Sequence, residues 1–366
     1  MLCLQPLQWF ILVRALGLAL HRWRRISSVV IRVLAQGKEP ARRRLKAVLH
    51  TLLGAYYAVL LRPSGVHHIH VHHGYFGSWI GMVAARLLGI SFSLTLHGSD
   101  LLLHRAYLDT KLANCAFCFT VSEHNRRFIL EHFPDVDPQK ILVSRLGVDP
   151  PPPQPRRPCA SGYAFTILAV GRLHAVKDHT FLLRACAMLR DRQLDFDCLI
   201  AGDGPERHHL ESLIRKSSLE SRVTLLGHVP RRQMNSLYRR ADLVVLTSRS
   251  EGLPLVFMEA MARGGIVLGP ALTGIPEIVV PGKTGFLYPP GSLDEFVERI
   301  CFIRALKRAE EDRSIVSRLD WIRHAARSQI FHNFNRSNNL TRFTQRFLYQ
   351  VVSQNRSPSH EDFVLQ

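Results

Sequence analysis

The sequence lacks an apolar run that is long enough to cross a bilayer. The most apolar stretch near its start, WFILVRALGLAL, is about twelve residues long and is interrupted by Arg14, whereas a spanning helix needs about 20 apolar residues. No small-residue cleavage site follows this stretch, so a secretory signal is not predicted. We therefore expect a cytoplasmic protein whose first segment can lie on a membrane but does not cross one.

The sequence also lacks the repeated cysteine pairs of a structural zinc site. Its seven cysteines are scattered singly, except for Cys115 and Cys118. This single C-x-x-C lies in the strand-like run AFCFTVS, where residues three apart point to opposite faces of a sheet. We predict small buried thiols of a reducing compartment here, rather than metal ligands or a redox pair.

Acidic residues are scarce, above all at the start of the chain. The protein has 29 Asp and Glu against 48 Lys and Arg, which gives a net charge of +19. Residues 1–62 hold eleven of these cations and a single acid, Glu39. Such a balance favours acidic partners: nucleic acid, anionic lipid headgroups or phosphorylated small molecules. Nucleic acid is not expected, because no aromatic residues suited to base stacking alternate with the cations.

The first 62 residues are predicted to form basic, partly amphipathic helices. Several of their side chains suit a helix that lies on an anionic membrane surface, namely Trp9, Phe10, Leu12, Leu16, Leu20, Arg22, Arg24 and Arg25. The alternative is a pair of helices that pack on a sheet and leave a solvated basic face. We favour attachment to the inner face of the membrane.

Alternating strands and helices follow and predict an α/β fold. Strands are predicted at 67–73, 91–98, 116–122 and 140–148, and then at 164–172, 196–204, 222–229, 241–248 and 265–270. Helices are predicted at 77–89, 122–133, 178–191, 206–217, 231–239, 254–263 and 292–309. This order indicates two parallel sheets with both faces covered. The run DPPPPQPRRP at 149–158 is predicted to link them, because proline prevents helix formation and ladder pairing.

The segment AVGRLHAVKD places two cations at the end of a predicted strand. Arg172 and Lys177 follow Gly171, where a loop enters a helix. Ligands bind at the carboxyl ends of the strands in open α/β sheets, and free N–H groups at a helix start suit a diphosphate. A solvated basic loop is the alternative.

The segment SRSEGLPLVFMEAMARGG places two carboxylates near the next such loop. Glu251 precedes Gly252, which lets the backbone approach a ligand closely. Glu259 lies in an apolar helical stretch, where an unpaired carboxylate is costly. Hydroxyl groups of a ribose and of a second sugar would be natural partners for the two carboxylates.

Taken in order, these motifs resemble the retaining glycosyltransferase family 4, which has the GT-B fold. In the second half they are VGRLHAVKD, IAGDGPER, VTLLGHVP, SEGLPLVFMEAMARGG, GIPEIV and PGKTGFLYPPG. In the first half HIHVHHGYFGSW, LTLHGSDLL, FTVSEHNRR and ILVSRLGVD resemble it as well. The chain is most similar to the subgroup that builds exopolysaccharides such as colanic acid. The resemblance implies two Rossmann-like parallel-sheet domains that face each other across a cleft.

This resemblance also implies a domain plan. Residues 1–62 and an acceptor-side Rossmann-like domain at 63–150 form the first half, and 159–320 form the domain that binds the nucleotide sugar. Closing helices at 321–352 cross back to the first domain, and 353–366 form a tail. The start, MLCLQPLQWFILVRALG, has neither the family's Gly-rich turn nor a first strand. We therefore expect an N-terminal domain that is shortened or whose first unit has diverged.

The resemblance further implies roles for residues that match the family's donor site. Arg172 and Lys177, beside Gly171, would bind the donor diphosphate and stabilise the departing nucleotide. Glu259 would hold the ribose. The donor sugar would be held by Glu251, Gly252 and Leu253. The base would be bordered by Gly227, His228 and Val229.

The N-terminal domain would supply the acceptor side. His97 would face the donor sugar, and His70, His72 and Gly74 would border the acceptor. The alternation of His68, His70 and His72 places all three on one face of a strand. Imidazoles suit zinc, but no carboxylate or cysteine nearby completes a metal site, so we expect none.

The function implied is transfer of a hexose from a nucleotide sugar, such as a UDP-sugar, to a glycan or lipid-linked acceptor. Configuration would be retained, and neither a metal nor a cofactor would be needed, because preorganised cations can replace a divalent ion. Two alternatives stay open. One is another GT-B enzyme, such as a nucleotide-sugar epimerase, and the other is a truncated or inactive homologue that only binds the donor.

Overall fold

The computed structural model describes residues 7–36, 39–151, 164–311 and 317–356. They form two compact units. The N-terminal unit comprises the described residues up to Ser144 and those from Thr341 onward, and the C-terminal unit comprises those of Arg145–Leu340. Most of the predicted linker at 149–158, and the predicted tail beyond residue 356, lie outside the described residues.

The N-terminal unit starts with three helices and then alternates strands with helices. Its helices are α1 (Trp9–His21), α2 (Trp23–Leu34), α3 (Ala41–Leu61), α4 (Phe76–Leu88), α5 (Ser99–Leu102), α6 (Leu108–Asn114) and α7 (Glu123–His132). Its strands are β1 (His68–His72), β2 (Ser91–Leu96), β3 (Phe117–Thr120) and β4 (Ile141–Val143). The predicted strands and helices of this half are therefore confirmed, although β4 is shorter than expected.

The four strands form one parallel sheet in the order β1-β2-β3-β4. In this register His68 pairs with Ser91 and His72 with Thr95. Because all strands run the same way, the loops that follow β1 and β2 leave the sheet at the same edge. The predicted acceptor-side residues lie on β1, namely His70 and His72, and in the two loops, namely Gly74 and His97.

The helices predicted for the first 62 residues are confirmed, and they pack on one another and on α4. Apolar residues of α1 and α2 are buried against this group, including Ile11, Ala15, Ile26, Val29 and Val33. Gly54 of α3 lies so close to α4 that a Cβ there would be 2.7 Å from Val83 Cβ. The burial of these residues gives α1–α3 a place in the N-terminal core.

The C-terminal unit repeats the alternation on a larger sheet. Its strands are β5 (Phe165–Val170), β6 (Phe196–Ala201), β7 (Val223–Gly227), β8 (Leu243–Val245), β9 (Val267–Pro270) and β10 (Phe286–Tyr288). Its helices are α8 (His179–Asp191), α9 (Arg207–Lys216), α10 (Arg231–Arg240), α11 (Leu255–Ala262), α12 (Leu293–Glu311) and α13 (Arg318–Asn333). The sheet is parallel, in the order β10-β9-β8-β5-β6-β7.

The strand β10 was not predicted. It is three residues long, it follows Gly285 and it is followed by two prolines, so no alternation marks it. Its pairing with β9, Phe286 opposite Leu268, is a tertiary contact. All other predicted strands and helices of this half are confirmed, with ends that differ by a few residues.

A last helix, α14 (Arg336–Arg356), belongs to both units. Its residues up to Leu340 are part of the C-terminal unit and those from Thr341 are part of the N-terminal unit. There, Phe347 packs edge-on against the rings of His68 and His70. The helix continues through the first residues of the predicted tail, to Arg356.

Candidate functional site

The loops after β5, β6 and β8 meet at the carboxyl edge of the C-terminal sheet. Gly202 donates its N–H to the carbonyl of Gly227, 2.8 Å away, and Gly171 donates to Ala201 O at 3.0 Å. Gly202 has a φ of +151°, and a Cβ there would lie 1.8 Å from the carbonyl oxygen of Gly171. Only glycine allows these two strand-end loops to pack backbone against backbone.

A second close approach fixes the loop that carries Glu251. A Cβ on Gly274 would lie 1.7 Å from the carbonyl oxygen of Gly252. Glu251 donates its backbone N–H to Thr273 Oγ1 at 3.2 Å. The loop after β9 therefore packs against the backbone of Glu251 and Gly252 and holds it in place.

The structure brings Lys177 and Glu251 into direct contact. Lys177 ends a 3₁₀ turn, Ala175–Lys177, and Asp178 caps the start of α8 by accepting from Phe181 N. Lys177 Nζ lies 2.5 Å from Glu251 Oε1, which also accepts a hydrogen bond from Ser248 Oγ at 2.6 Å. Both side chains are largely buried, so this is a partly desolvated charged pair with a third polar partner.

The second predicted phosphate ligand, Arg172, precedes Lys177 in the same loop and is exposed. Within the described part of the chain its guanidinium has no ion-pair partner. Arg249 differs, because its Nε donates to Asp178 Oδ2 at 2.7 Å. Arg172 is thus the cation of this loop that stays available for an anionic ligand.

Glu259 lies half-buried on α11 and is held by α10. The hydroxyl of Tyr238 donates to Glu259 Oε2 at 2.7 Å. Arg263 donates to the backbone carbonyl of Glu259 at 2.8 Å and lies over the Tyr238 ring. Burial, and then the adjacent carboxylate, raise the pKa of Tyr238, so this phenol stays a donor at neutral pH. The buried carboxylate predicted from the apolar motif therefore has a protein partner.

The residues expected at the base follow β7. Gly227 ends the strand with a φ of +69°, His228 is exposed and Val229 is half-buried. Their accessibility is compatible with contact to a ring, and their role stays a prediction.

In the N-terminal unit, Asp100 organises the two loops at the sheet edge. Its carboxylate is fully buried and accepts from the N–H groups of Gly74 at 2.8 Å, His97 at 3.1 Å and Gly98 at 2.8 Å. Asp100 therefore ties the loop after β1 to the loop after β2. It also fixes the backbone from which the His97 side chain extends.

Lys111 binds the opposite side of the same turn. Its buried ammonium group donates to the carbonyls of Gly74 at 2.6 Å, Ala106 at 2.9 Å and Tyr75 at 3.2 Å. Burial lowers the pKa of Lys111 to about 7, against the opposing influence of Asp100 and Asp109. Gly74 is thus held by Asp100 at its N–H and by Lys111 at its carbonyl.

The histidines of β1 form a ladder with hydroxyl groups of β2. His70 contacts Ser93 Oγ at 2.7 Å and Thr95 Oγ1 at 2.9 Å through its two ring nitrogens. His72 contacts the ring of His97 at 3.2 Å. Burial, with smaller contributions from neighbouring histidines, lowers the pKa of both His70 and His97 to about 4. These imidazoles are therefore neutral near pH 7.

Three further properties of the described residues bear on function. No group of three or more His, Cys, Asp and Glu side chains among them is arranged to hold a metal ion. None of the helices described is both long and apolar enough to cross a membrane. The thiols of Cys115 and Cys118 are buried, and burial raises the pKa of Cys115 to about 12.

Sequence reasoning missed four residues of these networks: Asp100, Lys111, Tyr238 and Ser248. Asp100 and Ser248 stand inside the motifs LTLHGSDLL and SRSEGLP, so their position was a usable signal. Lys111 and Tyr238 lie on other helices, and nothing in their local sequence indicates their partners.

Comparison with known proteins bears on the C-terminal unit most directly. Residues 160–318 match the family model described as "Glycosyl transferases group 1", which confirms the predicted resemblance. WcaL of Escherichia coli (strain K12), named for colanic acid biosynthesis, is 32% identical over 203 residues, which cover 54% of this chain and 48% of WcaL. The amylovoran biosynthesis glycosyltransferase AmsK of Erwinia amylovora is 31% identical over 159 residues, 42% of this chain and 39% of AmsK. The chain thus spans about half the length of WcaL, or less for AmsK.

Solved structures confirm the predicted fold over most of the chain. A glycosyltransferase from Rickettsia africae ESF-5 has a TM-score of 0.68 at 20% identity and covers 86% of this chain and 83% of its own. HepE from Anabaena, solved with UDP, has a TM-score of 0.65 at 20% identity, and the match covers 81% of this chain and 82% of HepE. The two parallel-sheet α/β units are those of the GT-B fold.

Proposed function

We propose that this chain, whose residues 160–318 match the group 1 glycosyl transferases, moves a sugar from a nucleotide sugar to a glycan or lipid-linked acceptor. The observation that carries the proposal is the contact of Lys177 with Glu251 at the carboxyl edge of the sheet. A cation for a phosphate and a carboxylate for sugar hydroxyls stand side by side there. The solved relative with UDP favours a UDP-sugar as donor.

The Lys177–Glu251 pair suits a site that must be stable before the donor arrives. Each charge neutralises the other, so neither is left buried and unpaired. An ammonium group has three N–H donors, so Lys177 can donate to a phosphate oxygen while it keeps Glu251. It then fixes the distance between the leaving phosphate and the carboxylate that holds the sugar. Arg172 adds a second cation at the diphosphate.

The transfer step follows from these charges. As the glycosyl–phosphate bond breaks, negative charge develops on the departing phosphate, and the prepositioned Lys177 and Arg172 stabilise it. The acceptor oxygen forms its bond to the anomeric carbon on the face that the phosphate leaves. The acceptor proton passes to the departing phosphate oxygen. Configuration is retained, and the proposal needs neither a metal nor a cofactor.

A thermal-shift screen against UDP-, GDP- and ADP-sugars tests donor binding. We expect stabilisation by one nucleotide class, and loss of that shift in Lys177→Ala. The absence of a shift with all three classes would contradict the proposal. With the active donor, turnover that is unchanged by EDTA and a product of retained anomeric configuration, read from the anomeric coupling constant by NMR, test the mechanism. Conversion of the donor to its epimeric nucleotide sugar without acceptor would instead favour an epimerase.

The proposal places the N-terminal unit on the inner face of the membrane, where lipid-linked acceptors are found. It is supported by the exposed Trp9, Leu16 and Leu20 of α1 and by the exposed arginines Arg14 and Arg24. Co-sedimentation with anionic and neutral vesicles tests this placement. We expect binding that requires anionic lipid and weakens with salt.

A further inference from the structure

The helices α1, α2 and α3 enclose an open apolar groove. Its volume is about 240 Å³. It is lined by Leu16, Ala19 and Leu20 of α1, Trp23, Ile26, Val30, Val33 and Leu34 of α2, and Val48, Thr51 and Leu52 of α3. It shares no residue with the candidate transfer site, and neither the family match nor the proposed sugar transfer uses it.

The described side chains that line the groove offer an occupant little hydrogen bonding. Apart from the indole N–H of Trp23, the polar group among them is the hydroxyl of Thr51. The Thr51 hydroxyl donates to Ala47 O at 2.8 Å and accepts from Trp79 Nε1 at 3.0 Å. An ordered water needs two to four polar partners, and apolar cavities stay dry and take apolar ligands. The surface therefore suits hydrocarbon rather than a sugar or a nucleotide.

The groove opens at the protein surface rather than inside the core. Leu20 is 74% exposed, Leu34 is 58% exposed and Trp23 is 46% exposed. In contrast Ile26 and Val33, at its base, are buried. Large apolar side chains at an open mouth and a buried apolar base indicate a surface that another apolar group covers.

The same three helices carry an excess of positive charge. Arg14, Arg24, Arg42 and Lys46 are exposed. The single acid of the first 62 residues, Glu39, lies 3.6 Å from the guanidinium of Arg32 and is neutralised there. These cations favour the approach of the three helices to an anionic membrane surface.

We propose that this groove binds one acyl chain of an anionic membrane lipid, while the cations of the three helices keep these helices at the anionic surface. Pockets for whole drug-sized ligands have volumes of roughly 300–1,000 Å³, so about 240 Å³ suits a single chain segment. The inference deepens the proposed membrane placement and rests on it. This mode of attachment differs from that of helices that only lie on the membrane surface. Here one acyl chain leaves the bilayer and binds in the groove of the protein.

Trp23 provides a direct probe of groove occupancy. The protein has four tryptophans, and the double variant Trp9→Phe/Trp321→Phe removes the two that lie outside the groove and are exposed. Trp79 remains, but it is fully buried. We expect vesicles of phosphatidylglycerol with brominated acyl chains to quench the fluorescence of this protein, and brominated phosphatidylcholine vesicles to quench it at least several-fold less.

Two matched substitutions on α1 separate the groove from the rest of the surface. Ala19→Phe fills the groove, whereas Val13→Phe adds the same ring at an exposed position outside it. In the double-variant background we expect Ala19→Phe to lose the acyl-chain quenching and to bind anionic vesicles at least tenfold more weakly. Val13→Phe should keep both. Circular dichroism and the thermal shift with the donor sugar show that each variant is folded.

The possible outcomes separate two claims, namely that the groove binds an acyl chain and that the N-terminal helices bind an anionic membrane. Equal quenching and equal vesicle binding in Ala19→Phe and Val13→Phe would refute acyl-chain binding in the groove, and the proposed membrane placement would stand. Failure of the protein to bind anionic vesicles at all would overturn both, and the donor-binding experiment would still decide the sugar transfer. Binding and quenching that are equal for anionic and neutral vesicles would overturn the role of the cations and therefore the choice of lipid.

Discussion

The hydroxyl of Tyr238 on α10 donates to Glu259 Oε2 on α11 at 2.7 Å. This contact fixes one oxygen of the carboxylate that is proposed to hold the donor ribose. Arg263, which lies over the Tyr238 ring and donates to the Glu259 backbone, holds both partners in place. We therefore predict that Tyr238 positions Glu259 for the proposed ribose contact.

Tyr238→Phe tests this positioning with minimal change of shape. A hydrogen bond to a charged group contributes about 1.5–3 kcal/mol, so we expect the donor KM to rise about tenfold with a smaller effect on kcat. Discrimination against a 2′-deoxyribose donor should fall as well. Tyr288→Phe is the matched control, because its hydroxyl is also buried but contacts Leu246 O at 3.3 Å. An equal rise in KM in both variants would indicate a general loss of packing instead.

The cations of the phosphate loop give a second prediction. Removal of one preorganised group that stabilises developing charge costs about 10²–10³ in kcat. We expect losses of this size in Lys177→Ala and Arg172→Ala, with a fold that survives. Glu251→Ala should likewise abolish transfer. Arg232→Ala, at an exposed cation on α10, is the control for net charge, and steady-state kinetics with circular dichroism provide the measurement. Full activity in Lys177→Ala or Glu251→Ala would refute these roles.

The backbone contact beneath Glu251 gives a third prediction. A methyl group at Gly274 would meet the Gly252 carbonyl at 1.7 Å, so Gly274→Ala must displace the loop that is proposed to bind the donor sugar. Overpacking of this kind costs about 1–3 kcal/mol. We expect a lower melting temperature together with a weaker thermal shift from the donor. Gly77→Ala, in helix α4 where a Cβ meets nothing within 4 Å, should not lower the melting temperature and should leave the thermal shift from the donor unchanged.

Sequence reasoning placed Lys177 and Glu251 in the same donor site, although it did not predict their ion pair. Lys177 and Glu251 both follow strands, and parallel strands deliver their carboxyl ends to one edge, so the meeting of the two residues could be expected. The partners from helices could not be predicted in this way. Whether Tyr238 reaches Glu259, or Lys111 reaches Gly74, depends on how helices are rotated and packed, which periodicity does not determine.

The N-terminal helices show the same limit. Their helical, partly amphipathic character was predicted from the sequence, but the faces that become buried, which carry Ile11, Ala15 and Ile26, were not identified. The groove between them depends on the gap that three helices leave, which is a property of side-chain volumes in three dimensions. A strand of three residues, β10, was missed for a related reason, because only pairing with β9 defines it.

The buried imidazoles of β1 and its neighbouring loop give the last prediction, which concerns pH. The pKa of His70 and that of His97 are lowered to about 4, mainly by burial, whereas a histidine in an unfolded chain has a pKa of about 6.5. Around His70 stand His68, His72 and His97, and the uncharged rings of Phe343 and Phe347. Between these two pKa values the unfolded chain binds more protons than the folded unit does. The stability of the unit therefore rises with pH in this window and is lost as the pH falls from about 6.5 towards 4.

His70→Gln should weaken this dependence, because its amide can still bond to Ser93 and Thr95 but does not titrate. We expect the melting temperature of the protein to fall less steeply between pH 6.5 and pH 4 in this variant than in the wild type. His208→Gln is the control, since the His208 side chain is 96% exposed, and its melting curve should follow the wild type at every pH. Parallel pH profiles for all three proteins would show that the acid sensitivity arises elsewhere than at His70.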